Sequence, residues 1–295
     1  MATIAEYETG GDVGGILKAG RWRRLRITAW MIILFLAIGI ASALTYALIR
    51  KAAGNGTTAV LGAEVAIAAL SIFLYRLAVL KGEKRRPEEI AGSWAIRETL
   101  IGLAVGAGMM TATVGILAGT GLYSLHFGVP QSAWDEIGMA IRSGVAEEVL
   151  FRAILLRLLW RAFGPLAAFG LSAALFGALH LGNPNASLFA ALCIAIEAGI
   201  MLGAFYALTG RIWVSIGVHA GWNFTQGWVF GAAVSGFAEK GTWGVSTPDP
   251  AAAAYLSGGP FGPEASLPGL AVGTLVGAGT LWLAWQRGRL GRTLD

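Results

Sequence analysis

Residues 137–160 read IGMAIRSGVAEEVLFRAILLRLLW. A bilayer's hydrocarbon core takes about 20 predominantly apolar residues of helix to cross, and this run is long enough. It therefore reads as a membrane helix, yet Glu147, Glu148 and Arg152 stand near its middle. Each ionisable group at bilayer depth costs about 2.5–3.5 kcal/mol. Unpaired, the three would cost on the order of 8–10 kcal/mol. So apolar a stretch keeps such charges only where they pair or face a wet cavity.

Composition extends this reading to the whole chain. Of 295 residues, 56% are hydrophobic and 13% charged, about half the charged share of an ordinary soluble domain. The expected fold class is all-α, a polytopic membrane helical bundle. The net charge of +5 is not a nucleic-acid signature here, because the Lys and Arg residues flank apolar runs as positive-inside loops do. The expected surroundings are a lipid bilayer, with no nucleic acid. The single cysteine, Cys193, lies in an apolar run, so no intrachain disulfide forms. It reads as a small buried residue.

About eight transmembrane helices are expected, near 27–49, 59–80, 99–123, 137–160, 165–181, 188–208, 213–234 and 267–285. The tail before the first ends in Lys18, Arg21, Arg23, Arg24 and Arg26. Ala41-Ser42-Ala43 imitates a signal-peptidase site, but the apolar run continues to Ile49. That is too long for a signal segment, so the span is retained. Gly54-Asn55-Gly56 and Gly182-Asn183-Pro184-Asn185 are turn signals. Glu88 and Glu89, beside Lys81, Lys84, Arg85 and Arg86, read as a solvated loop, and 235–265 reads as an unstructured insertion.

Eight spans put both termini on one side. That side would also hold the 81–97 loop, Arg157, Arg161, Arg211 and the C-terminal arginines Arg287, Arg289 and Arg292. The other side has Arg50, Lys51 and Lys240, so both termini are expected in the cytoplasm. Gly-x-x-x-Gly spacings at Gly102/Gly106, Gly115/Gly119 and Gly269/Gly273/Gly277 suit close helix packing. By themselves they say nothing about function.

Successive helical residues turn about 100°, so residues four apart share a face. Glu148 and Arg152 are four apart with the acid first, the better order for an ion pair. Glu147 lies on a different face, about 100° from Glu148. Unlike roles follow: Glu148–Arg152 an internal pair, Glu147 the free carboxylate and candidate base. A salt-bridge cluster that only fixes packing is the plain alternative. His180 follows Phe176 by four, and Asn223 follows His219 by four. His126 has no such companion and reads as a membrane-edge residue.

Two of only three histidines, the Glu pair and Asn223 thus fall within 147–223. Glu147-Glu148-x-x-x-Arg152, Phe176-x-x-x-His180 and His219-x-x-x-Asn223 together resemble the three motifs of the CPBP intramembrane proteases, the CAAX-prenyl endopeptidases and the bacteriocin-processing or Abi proteins. The resemblance covers about 138–235. It implies an intramembrane endopeptidase acting without a covalent intermediate on a peptide or membrane-protein substrate. Glu147 would be the general base on water and His180 would help hold that water. His219 and Asn223 would donate to the developing oxyanion, with Glu148, Arg152 and Phe176 in support. The expected organisation is a basic cytoplasmic tail (1–26), N-terminal transmembrane helices (27–137), the catalytic core (138–235), an extracytoplasmic loop (236–265), and the last helix with its basic tail (266–295).

No cofactor is expected. A zinc version would use Glu147, His180 and His219 as ligands, but the His-Glu-x-x-His helix that puts two ligands and a base on one face is missing. A non-catalytic immunity or scaffold protein of the same fold is a rival from another class. A proton-coupled transporter is a third, disfavoured because the polar cluster occupies one half of the chain. Short Gly-rich loops and no added domains point to a bacterial cytoplasmic membrane. One point conflicts with these spans. Counted from Pro165, His180 lies roughly 24 Å up its helix, while His219 lies about 9–10 Å up from Trp213. They meet only if the spans are offset or tilted.

Overall fold

The computed structural model describes residues 15–54, 56–238 and 242–291. Residues 1–14 of the basic tail, Asn55, Lys240 and Arg292 lie outside the described residues. The chain is all-α apart from one pair of short strands. Six helices are long and apolar enough to cross a membrane, namely α1 (Arg23–Ala53), α2 (Thr57–Glu83), α3 (Glu88–Gly119, regular from Ala95), α5 (Pro165–Gly182), α6 (Leu188–Thr209) and α8 (Leu267–Gln286). The expected fourth and seventh spans are α4 (134–163) and α7 (213–229). They are the two that fall outside that length and composition, and they carry Glu147, Glu148, Arg152, His219 and Asn223.

The reason lies in where each helix sits. On α1, Ile27, Met31, Leu34 and Ile38 face inward at steps of three and four residues. Ile33, Leu36, Ile40, Leu44 and Leu48 are exposed, as a lipid-facing helix requires. By contrast every residue of α4 from 151 to 162 is buried. A helix enclosed by other helices meets protein rather than lipid, so its charges need partners and not removal. It also departs from regular α geometry. Trp134–Arg142 leads into two wide π-helical segments, Ser143–Glu147 and Val149–Leu156, before Arg157–Phe163 completes it. Such wide turns are concentrated at functional sites.

Two contacts lock α4 and α7 into the bundle. Arg157 donates to both oxygens of Glu83, at 2.9 and 2.7 Å, and both side chains are buried. Arg85 bridges Glu83 at 2.8 Å and Glu89 at 2.5 Å. Glu89 is therefore 4% exposed, and its reading as part of a solvated loop is corrected: two guanidiniums draw it in. On the other flank, α3 and α7 meet through glycines. A Cβ at Gly102 would stand 2.3 Å from the Val214 carbonyl oxygen, and one at Gly217 would stand 2.2 Å from that of Thr99. Gly106 and Gly221 are equally crowded. Only a residue without a side chain allows this backbone approach.

Several span edges move. α3 ends at Gly119, and after the turn at Gly121 (φ 76°) the chain enters β1 (Tyr123–Phe127) rather than continuing as helix to Tyr123. β1 pairs antiparallel with β2 (Gly244–Pro248), in register from Tyr123↔Pro248 to Phe127↔Gly244. His126 is on this strand, opposite Val245. The 235–265 segment is thus not an unstructured insertion. Besides β2 it has short helical turns at Ala254–Ser257, Gly259–Phe261 and Pro263–Ala265, and it buries Phe261, Glu264 and Ala265. Cys193 is a free, buried thiol.

Candidate active site

The wide turns of α4, the C-terminal end of α5 and the middle of α7 converge on a cleft of about 440 Å³. Its polar wall holds Arg142, Ser143, Glu147, His180, His219 and Asn223. Its apolar wall includes Phe35, Met139, Leu150, Phe151, Leu179 and Phe237. The depth conflict between the two histidines is resolved by Phe176, whose ring centroid lies 4.9 Å from that of His180 and 6.3 Å from that of His219. The helices are offset so that the end of α5 meets the middle of α7.

The two glutamates have different surroundings. Glu148 is fully buried, and its Oε1 accepts from Arg152 Nη1 at 2.7 Å and from His219 Nδ1 at 2.9 Å. Arg152 is itself tied down. Its Nη2 donates to the Ala198 carbonyl at 2.6 Å, in the wide turn Ala195–Ile200 of α6, and its guanidinium lies 5.0 Å from the centroid of the Phe176 ring. Glu147 keeps 28% of its side chain exposed and stands 4.0 Å from both Arg142 Nη1 and His219 Nε2. That separation is too long for a direct hydrogen bond and short enough for one water to bridge.

The imidazole hydrogen bonds assign the tautomers. His180 Nδ1 lies 2.8 Å from the Phe176 carbonyl oxygen. A carbonyl only accepts, so Nδ1 carries the proton and Nε2 has the free lone pair. His219 Nδ1 likewise donates to the Glu148 carboxylate, 2.9 Å away. His219 then donates from Nε2 only as the imidazolium. Asn223 Nδ2 donates one hydrogen to Ser143 Oγ at 3.0 Å and has a second to offer.

Glu147, His180, His219, Asn223 and Phe176 therefore line one cleft, with Glu148 and Arg152 buried behind it. Sequence reasoning passed over three further residues. Ser143, four residues before Glu147, orients Asn223. Arg142 is held by Glu64 of α2, with Nε 2.8 Å from Oε2. Glu64 is a 4%-exposed carboxylate inside a membrane span, and that alone was a signal, because such groups are costly and kept for use. The zinc set fits poorly. Among the described residues, no three His, Cys, Asp or Glu side chains are gathered so as to hold a metal ion.

The three motif segments fall within a single match. Residues 129–225 match the family model of Rce1-like type II CAAX prenyl endopeptidases. No curated protein and no solved structure matches the chain. The matched CAAX-endopeptidase domain runs from just before α4 into α7 and includes every motif residue from Glu147 to Asn223, in accord with the CPBP resemblance. Glu64, on α2, lies outside it. Together with the six apolar helices, the match supports an integral membrane protein that carries a CAAX-endopeptidase-like domain.

Proposed function

We propose that this protein is an intramembrane endopeptidase in which Glu147 activates water for direct attack on a peptide carbonyl. The observation that carries the proposal is the contrast between the two adjacent acids. Glu148 is held by Arg152 and His219 at hydrogen-bond distance, while Glu147 faces the cleft with its oxygens open. A base must reach the proton it takes, and Glu147 is the acid free to do so.

In this reading the water sits between Glu147 and the imidazoles. His180 accepts a hydrogen bond at Nε2 and thereby orients the water. As the water oxygen bonds to the carbonyl carbon, its proton passes to Glu147. The carbonyl oxygen gains the negative charge, stabilised by His219 Nε2–H and by the second Asn223 Nδ2–H. Glu148 positions His219, and Arg142, anchored by Glu64, stands beside the charge of Glu147. The apolar wall accommodates a substrate segment that reaches the site from the bilayer.

The exposed basic residues Lys18, Arg21, Arg24, Lys81, Lys84, Arg86, Arg97 and Arg287 favour cytoplasmic termini. Arg157, buried against Glu83, contributes to structure instead.

The test is hydrolysis of a quenched peptide by purified protein. Glu147→Ala and His180→Ala are expected to abolish turnover, and a chelator to leave it intact. Full activity in Glu147→Ala would overturn the assignment. Activity lost to a chelator and restored by zinc would replace water activation by Glu147 with a metal mechanism. Absence of cleavage in the wild type across a peptide library would leave the scaffold reading.

A further inference from the structure

Behind the cleft, a second cavity of about 30 Å³ is lined by Phe176, His180, His219, Asn223, Glu197 and Glu264, among others. This is room for one or two waters. Glu197, in the wide turn of α6, is 2% exposed, and among the described residues neither of its oxygens has a hydrogen-bond partner. Glu264, in the turn before α8, is also 2% exposed. It accepts from the Ser235 N–H, and Trp222 stands beside it in the cavity wall. The two acids meet across Gly269, where a Cβ would stand 3.3 Å from Glu197 Oε2 and 3.2 Å from Glu264 Cα. A Cβ at Gly273 would collide with Glu197 Cβ at 2.3 Å. The Gly269/Gly273 spacing therefore builds a slot for this carboxylate.

The groups that face the pair are Cys193 one turn earlier on α6, Tyr123 at the start of β1, His180 at the end of α5 and His219 on α7. Among the described residues, no Arg or Lys lines the cavity. Two ionised carboxylates there would be adjacent buried charges without a fixed counter-charge, a costly arrangement. Two buried acids lining one small cavity cost least when one of them keeps its proton. Burial pushes the Glu264 carboxyl above its usual range, against the lowering pull of Ser235 and His180.

We propose that Glu197 and Glu264 hold one proton between them and supply it, through cavity water and His180 Nε2, to the amine that leaves when the peptide bond breaks. The proposal rests on the hydrolytic reading above and adds its missing acid. Water loses one proton to Glu147 as the C–O bond forms. The pair passes one proton by way of water to His180 Nε2, whose Nδ1–H stays on the Phe176 carbonyl. His180 gives that proton to the nitrogen as the C–N bond breaks and the electron pair moves to nitrogen. The proton on Glu147 then returns to the pair through the water that refills the cleft, and the site is reset.

The experiment combines infrared spectroscopy with kinetics on the full chain in lipid nanodiscs. The wild type is expected to show a protonated-carboxyl C=O band that shifts in D2O and changes position or intensity in Glu197→Gln. That variant is expected to lose about 10²-fold in kcat at unchanged KM. The alkaline fall of its kcat–pH profile should also move, because Glu264 then titrates without its partner acid. Glu264→Gln makes the same comparison if Glu197→Gln fails to fold. A band unchanged in both variants, or a Glu197→Gln profile that overlays the wild type, would overturn the proposal. So would cation-dependent stabilisation that Glu197→Gln removes, which would make the cavity an ion site. Glu147→Ala separates the two readings: full activity there refutes the hydrolytic mechanism, while the band still decides the state of the pair.

Discussion

Replacing each of the adjacent glutamates by glutamine separates chemistry from architecture. In Glu148→Gln, Arg152 stays buried at 1% exposure without its counter-charge, leaving the Ala198 carbonyl and the Phe176 ring as partners. Removing one member of a buried pair costs about 3–5 kcal/mol. The amide oxygen still accepts a hydrogen bond, so the low end applies, about 3 kcal/mol. His219 also loses its charged acceptor, and turnover falls with stability. In Glu147→Gln the partners are 4.0 Å away, and Arg142 is 39% exposed with Glu64 still beside it. An ion pair of that kind contributes about 0–1 kcal/mol. Stability should then hardly change while kcat falls about 10²–10⁴-fold, the usual contribution of a general base. Reversible unfolding in mixed micelles, read beside peptide hydrolysis, measures both quantities. If Glu147→Gln is destabilised as much as Glu148→Gln, or if Glu148→Gln unfolds like the wild type, the division of roles is wrong.

Two further outcomes follow from groups outside the cleft. Arg157→Met is expected to cost about 3 kcal/mol, because it leaves buried Glu83 with only Arg85 and the Trp30 indole N–H. Adding Glu83→Gln should recover part of the loss, and a double variant no better than the single one refutes the clamp. Glu264 gives a pH dependence. Burial raises its folded value above the unfolded one, so its contribution is fully present below the unfolded value and is lost as pH rises through the folded value. Unfolding free energy of the wild type should therefore decline as pH rises from the unfolded value through the folded one, and level off above it. Glu264→Gln should lack this component, and identical profiles would contradict the assignment.

Local rules reach a definite distance into this molecule. Apolar run length and the scarcity of charge declare a helical membrane protein, because the bilayer demands both wherever lipid touches the chain. The i,i+4 spacing brings Glu148 to Arg152 and turns Glu147 away, a relation that survives the wide turns of α4 because neighbours in sequence are bound by helix geometry. The same rules overextended α3 to Tyr123, since an apolar Thr120–Tyr123 stretch looks alike as helix or strand, and only the pairing of β1 with β2 decides. They put Glu89 in water because Arg157, which buries it, comes from 68 residues later in the chain.

The chemistry of the site depends on such distant meetings. That His219 Nδ1 binds Glu148, that Glu64 holds Arg142, and that Glu197 and Glu264 share a cavity behind His180 are all consequences of helix offset and crossing. Those offsets are set where α3 and α7 touch through Gly102, Gly106, Gly217 and Gly221, and where α8 admits Glu197 at Gly269 and Gly273. A glycine in the chain announces that a close approach is allowed, not which backbone will make it. The partner is chosen when all the helices pack at once, so the identities of the charged groups were legible in the sequence and their pairings were decided by tertiary structure.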